Sequence, residues 1–188
     1  MSRKNGTTKT ETQATTVEVE GSTFSNGFDN FTIEGITFTG KPRQYRADCQ
    51  SGQFKIGAAK KLDRSLKMEV LAWRKLQDEL FGYDFQTWLE IIFIDQQNII
   101  SHILFKTESM DNFDEMLLDL AEKQQPIACG IVTAQMQSRS SRANGTTYYA
   151  VEFAWQPNQQ ERIDEIKTFA ANLPYEALTV YALPGSDE

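Results

Sequence analysis

The chain has 188 residues, 40% of them hydrophobic and 11% aromatic, with a formal net charge of −7. That length fits one ordinary domain with something left over, and that apolar fraction fits a real core. No run of about 18 apolar residues exists, so no membrane span is expected, and two cysteines, Cys49 and Cys129, are too few for a disulfide framework or a metal knuckle.

Residues 1–30 are rich in Thr, Ser, Asn, Gly and Glu without an apolar period, which predicts a disordered arm. Phe24, Phe28 and Phe31 would either dock its end onto the domain or serve as a sticky recognition segment. Thr32–Glu34 and Gly35–Thr39 are short and β-branched. Gln44–Ile56 has Tyr45, Ala47, Cys49 and Phe54 as apolar points and Gly52 as a bulge or turn. Residues 57–63 read as a loop. From Ser65 to Lys75, Leu66, Met68, Val70 and Ala72 alternate with Lys67, Glu69, Leu71 and Trp73. That period of two predicts a strand, against a helix-forming composition. Thr87–Ile94 and Ile99–Lys106 predict a hairpin across the polar residues 95–98.

Asp111–Gln124 predicts a helix, with Ser109 or Asp111 as cap, Phe113, Met116, Leu117, Leu120 and Ala121 on one face, and Pro126 closing it. Ile127–Gln137 and Thr146–Trp155 predict a second hairpin, whose loop 138–145 ends in the turn signal Asn144–Gly145. A last helix, about Gln160 to Asn172, would be capped by Asn158 and would bury Ile163, Ile166, Phe169 and Ala170. Residues 175–188 predict a mobile acidic tail.

The charge is unevenly spread. Residues 41–75 carry ten basic and three acidic groups, net +7, while residues 76–138 carry two basic and eleven acidic groups, net −9. A local basic groove suffices to hold phosphates while the rest of the surface stays negative. Binding single strands needs cations for phosphates and aromatic faces for bases. The basic stretch offers Arg43, Arg46, Lys55, Lys60, Lys61, Arg64, Lys67 and Arg74, interleaved with Tyr45, Phe54 and Trp73, which serve either as stacking platforms or as core. The second hairpin adds Arg139, Arg142 and Tyr149. Of the adjacent pair Tyr148 and Tyr149 one must face in and one out.

Three β segments, a helix and two more strands form a succession that resembles the oligonucleotide-binding (OB) fold of single-stranded DNA-binding proteins. The match covers about residues 40–156. The resemblance implies a mostly β (α+β) chain: a five-stranded antiparallel barrel over residues 31–174, with a helix after the central hairpin and a C-terminal helix. In that fold the ligand crosses strands two and three between the loops after strands one and four. These would be the segment with Lys60, Lys61 and Arg64 and the loop with Arg139 and Arg142. Met68–Arg74 with Trp88–Asp95 also resembles an uncharacterised family from cyanobacteria and their mobile elements. The expected activity is therefore non-specific binding of single-stranded nucleic acid, DNA before RNA, as a cytoplasmic replication or recombination accessory. A homo-oligomer is a further expectation, as is a protein partner held by the acidic tail or by segment 81–88.

Catalysis has little support, and neither cofactor nor metal is expected. His102, the single histidine, sits mid-strand among apolar neighbours; Gly52 to Gly57 lacks the Lys-Ser/Thr end of a phosphate loop. Asp84, Glu90, Asp95 and Glu108 show no ligand spacing for a metal-dependent nuclease, and Glu90 reads as an outward residue of a half-exposed sheet. Cys49 and Cys129 read as buried small residues. The competing reading is a protein–protein interaction module or accessory subunit of a phage, plasmid or transposon assembly. It would use the acidic face from Asp78 to Glu122 and the aromatic cluster Phe81, Tyr83, Phe85 and Trp88.

Overall fold

The computed structural model describes residues 31–33, 35–38, 40–141, 145–171 and 173; the expectations for the arm, for Arg142 and for the acidic tail fall outside the described residues. The chain is mostly β, with two helices. Its strands are β1 (Phe31–Ile33), β2 (Ile36–Phe38), β3 (Arg43–Asp48), β4 (Gln53–Ile56), β5 (Lys60–Lys61), β6 (Ser65–Asp78), β7 (Gln86–Ile94) and β8 (Ile100–Phe105). Helix α1 (Glu108–Glu122) follows, then β9 (Gly130–Ser140), β10 (Thr147–Pro157) and helix α2 (Gln160–Ala170). No helix among the described residues is long and apolar enough to cross a membrane.

β1 and β2 form a two-stranded sheet, and the other strands make one sheet in the order β10-β9-β6-β7-β8-β3-β4-β5. It has eight strands where five are expected: the expected first strand, Gln44–Ile56, is two strands, β3 and β4, the long Thr87–Lys106 segment is β7 and β8, and β5 is additional. β3, β4 and β5 join the rest of the sheet through β8, to which β3 runs parallel, with Arg43 opposite Ser101 and Gln44 opposite His102. β5 lies within what reads in sequence as a loop.

β6 bends this sheet. Its first residues, Ser65–Met68, pair with β9, and Glu69–Asp78 pair with β7. Within the pairing with β7 the register shifts at Leu71. A bulge adds one residue, so the face that each later side chain takes is inverted. Leu66, Met68 and Val70 therefore enter the main core, whereas Ala72 packs on the opposite face. Met136 N–H, which donates to Arg64 O at 2.8 Å, extends the β6–β9 pairing, and one backbone bond ties edge strand β10 to the β3–β4 turn: Tyr149 N–H donates to Cys49 O at 2.9 Å. The result is a curled, open sheet.

Inside the curl lie Leu66, Met68, Val70, Leu89, Ile91, Phe93, Ile103, Val132 and Val151, with Phe113, Met116 and Leu120 of α1 packed among them. On the outer face Ile92, Ile94 and Ile100 pack against Ile36 and against Ile166 and Phe169 of α2. β7 is covered on both sides, and every residue from Trp88 to Ile94 is buried. A strand buried on both faces reads as a continuous apolar run rather than an alternation. This corrects the outward placement of Glu90: it is 1% exposed, and its Oε2 accepts from Arg74 Nε at 2.6 Å.

Asp95, in the β7–β8 turn, is a second buried carboxylate. Its Oδ2 accepts from Arg43 at 2.9 Å, Tyr45 Oη at 2.9 Å and Ser101 Oγ at 3.0 Å. Its Oδ1 accepts from the backbone N–H of Gln97 at 2.8 Å and Ile99 at 3.0 Å. The turn is thereby tied to β3, next to the parallel pairing. Burial and the neighbouring carboxylate push the Tyr45 phenol up to about 12.

α1 starts three residues earlier than its pattern predicts. Its N-cap, Thr107, has φ 49° and makes no side-chain capping bond. Ser109 serves the sheet instead: its Oγ accepts from Val151 N–H at 2.9 Å, and Asn112 Nδ2 donates to Val151 O at 2.8 Å. Residues 127–129 form a 3₁₀ turn after Pro126, so β9 begins at Gly130 rather than Ile127.

Gly52, in the β3–β4 turn, has φ +67°, and a Cβ there would come within 2.6 Å of the Tyr149 ring. A left-handed conformation costs a non-glycine residue about 1–2 kcal/mol. Gly52→Ala is therefore expected to lower stability by at least that much in chemical denaturation; an unchanged midpoint would contradict the close approach.

Candidate nucleic-acid interface

A cleft of about 420 Å³ opens at the end of the sheet where the β6–β7 loop, the N-terminus of α1 and the start of β10 meet. β3 supplies Arg46, β4 supplies Lys55, β8 and the residue after it supply His102, Leu104 and Lys106, and the loop supplies Phe81 and Tyr83. Trp88 forms part of the floor, and Tyr148 and Tyr149 form the far wall.

Local geometry fixes the loop. Leu80 is buried and anchors it, Tyr83 N–H closes onto Leu80 O at 3.1 Å, and Trp88 Nε1 donates to Asp78 O at 3.1 Å. Phe81 at φ 57° and Gly82 at φ 74° reverse the chain, which leaves the rings outside: Phe81 is 41% exposed and Tyr83 48%. Both rings meet Trp88 edge-on, with centroids 5.7 and 5.9 Å away. Lys106 Nζ lies 3.1 Å from the Tyr83 ring centroid, and the Arg46 guanidinium carbon lies 5.4 Å from that of Phe81. Cations beside exposed rings are the elements that single-strand binding uses.

On the far wall Glu108 accepts from Arg139 Nε at 2.6 Å and from Tyr148 Oη at 2.7 Å, and Arg139 also reaches Glu152. The bond from Arg139, followed by that from Tyr148, holds the Glu108 carboxyl below its usual value. Across the cleft, Lys55 holds the Asp48 carboxyl well below the usual carboxylate range through a 2.5 Å contact. Among the described residues no group of three or more His, Cys, Asp or Glu could hold a metal ion. Both cysteines are free thiols.

The structure disperses the residues singled out in sequence. Tyr45 and Phe54 are corrected outright: both are buried in the main core, where no base can stack on them. Arg43, Lys55, Arg74 and Arg139 are engaged by Asp95, Asp48, Glu90, and the pair Glu108 and Glu152. Trp73 is half-exposed but lies against Phe113 on the α1 side, away from the cleft. Lys67 stands beside Glu69 and Arg162 in a separate depression. Lys60, Lys61 and Arg64 are exposed, and the Arg64 guanidinium lies 5.4 Å from the Tyr149 ring centroid. Tyr148, at 38% exposure, is the outward member of its pair and Tyr149 is half-buried, the reverse of the expected roles. Arg46, Lys55 and Tyr149 come together in the cleft. Sequence reasoning missed Lys106 and assigned Phe81 and Tyr83 to a protein interface; the signal was an aromatic loop directly after the bent strand.

No protein-family model, no curated protein and no solved structure matches the chain.

Burial pushes the His102 imidazole below its usual 6.5, and Glu90 raises it only in part. A histidine held neutral in the fold is protonated first in the unfolded chain, so its stabilisation is present above about pH 6.5 and is lost as the pH falls towards its lower folded value. The urea midpoint is expected to fall between about pH 7 and pH 5, and His102→Gln, which removes the only histidine, to flatten that fall. A wild-type midpoint constant over this range would rule the effect out.

Proposed function

We propose that the chain binds single-stranded nucleic acid without sequence preference, with bases stacked on Phe81 and Tyr83 and phosphates held by Arg46, Lys55 and Lys106. The observation that carries this is a coincidence of topology and chemistry. β6, β7, β8, α1, β9 and β10 follow in the strand and helix order of an OB fold, and bent β6 pairs with both β7 and β9. On that reading β6 is strand one, and β3–β5 are an addition to the barrel. The ligand surface of such a fold is the face of strands two and three, between the loops after strands one and four. Here these are β7 and β8, the aromatic loop 79–85 and the connection from β9 to β10. The cleft lies beside the first loop and reaches Tyr148 at the end of the second. The basic segment 60–64 accordingly stands outside the first of these loops.

The acidic balance does not oppose the reading, since stacking on rings needs no net positive charge. A depression between α1 and β10, lined by Glu115, Asp119 and Glu152, would repel phosphate. Fluorescence anisotropy of a labelled single-stranded 30-mer, titrated with the full chain at low and high salt, tests the proposal. Binding that weakens with salt supports it. Absence of binding at about 50 mM salt would leave the interaction-module reading, with Phe81, Tyr83 and Phe85 as the surface to probe.

A further inference from the structure

Strand register places three cations in a row. Arg46 on β3 stands opposite Lys55 on β4, and Lys55 stands opposite Lys61 on β5. Residues directly opposite one another share a face, and like charges so placed destabilise the pairing. With strands about 4.8 Å apart, the row spans roughly 10 Å. Asp48, two residues along β3 and so on the same face, offsets part of the repulsion through its 2.5 Å contact with Lys55. A second observation is independent of charge: Arg46 Nε is buried without a hydrogen-bond partner, at the point where the row meets the Phe81 ring. An anion lying along the row would relieve the repulsion.

We propose that Arg46, Lys55 and Lys61 form a phosphate track that continues the aromatic cleft. A single strand leaves the rings of Phe81 and Tyr83 with its backbone crossing β3, β4 and β5 at right angles to them. The track rests on the single-strand reading above and adds the path that the ligand takes. Lys60 supplies an internal control. It is adjacent in sequence to Lys61 but pairs with Ile56, which packs against the core, so it stands on the other face. Lys67, in its separate depression, is a second control.

The test is the salt dependence of binding of a labelled single-stranded 30-mer to the full chain and to four single variants. Lys55→Ala and Lys61→Ala are each expected to weaken binding and to flatten the log–log salt slope by about 0.7, the contribution of one phosphate contact on a single strand. Lys60→Ala and Lys67→Ala are expected to keep the wild-type slope. If the wild type binds and Lys61→Ala behaves like Lys60→Ala, the track is wrong while the single-strand reading stands. If the wild type does not bind, both fall.

Discussion

Replacing Asp95 by Ala is expected to destabilise the fold by about 3–5 kcal/mol, the range for removing one partner of a buried ion pair. The substitution takes away five acceptor contacts at once and leaves the Tyr45 hydroxyl, the Ser101 hydroxyl and two turn N–H groups without their partner in a water-poor site. It also strands Arg43, whose 2.9 Å contact with Asp95 helps hold β3 against β8. In urea the midpoint should fall with little change in slope, because the surface exposed on unfolding is nearly the same. Ser101→Ala removes one contact of the five and should cost about 1 kcal/mol. Equal losses in the two variants would mean that the carboxylate is not the hub.

Phe81→Ala and Tyr83→Ala are each expected to weaken oligonucleotide binding by about 1–3 kcal/mol, roughly 5- to 150-fold, while the salt slope stays near its wild-type value. The rings contribute stacking rather than charge, which separates them from the lysine variants. Both are substantially exposed, so the fold should tolerate their loss. Phe85, 63% exposed and outside the cleft lining, is the matched control and should leave affinity unchanged. If the wild type binds and neither ring matters, the nucleic acid lies elsewhere on the sheet.

Local pattern carried most of the elements. The alternation from Leu66 to Val70, the two hairpins and the amphipathic α1 could be read because each follows from periodicity within one segment. What could not be read depends on partners distant in sequence. The register shift at Leu71 leaves no mark on a period-two pattern, yet it sends Ala72 and Arg74 to the outer face. Glu90 is buried between neighbours on other strands, Arg74 of β6 and His102 of β8, and β5 is too short to register as a strand.

The site was less legible for the same reason. Tyr45 and Phe54 have the composition of stacking residues, and only the curl of the sheet reveals them as core. Arg74 and Arg139 count as cations in sequence, but their carboxylates arrive from 16 and 31 residues away. Conversely, Lys106 is one of two basic residues in the acidic stretch 76–138, and it gains meaning only where β8 ends beside Tyr83.

The contacts that α1 makes with β10 bear on how the molecule behaves when crowded. β10 is the last strand of its sheet, and an uncovered last strand is a template on which another chain can add a strand. Ser109 and Asn112 occupy both outward-facing backbone groups of Val151, and Cys49 O occupies the N–H of Tyr149. Three hydrogen-bonding groups in the first half of that margin are taken up by the chain itself. Two small polar side chains on one helix turn thus leave Val151 without a backbone group on which another chain could add a strand.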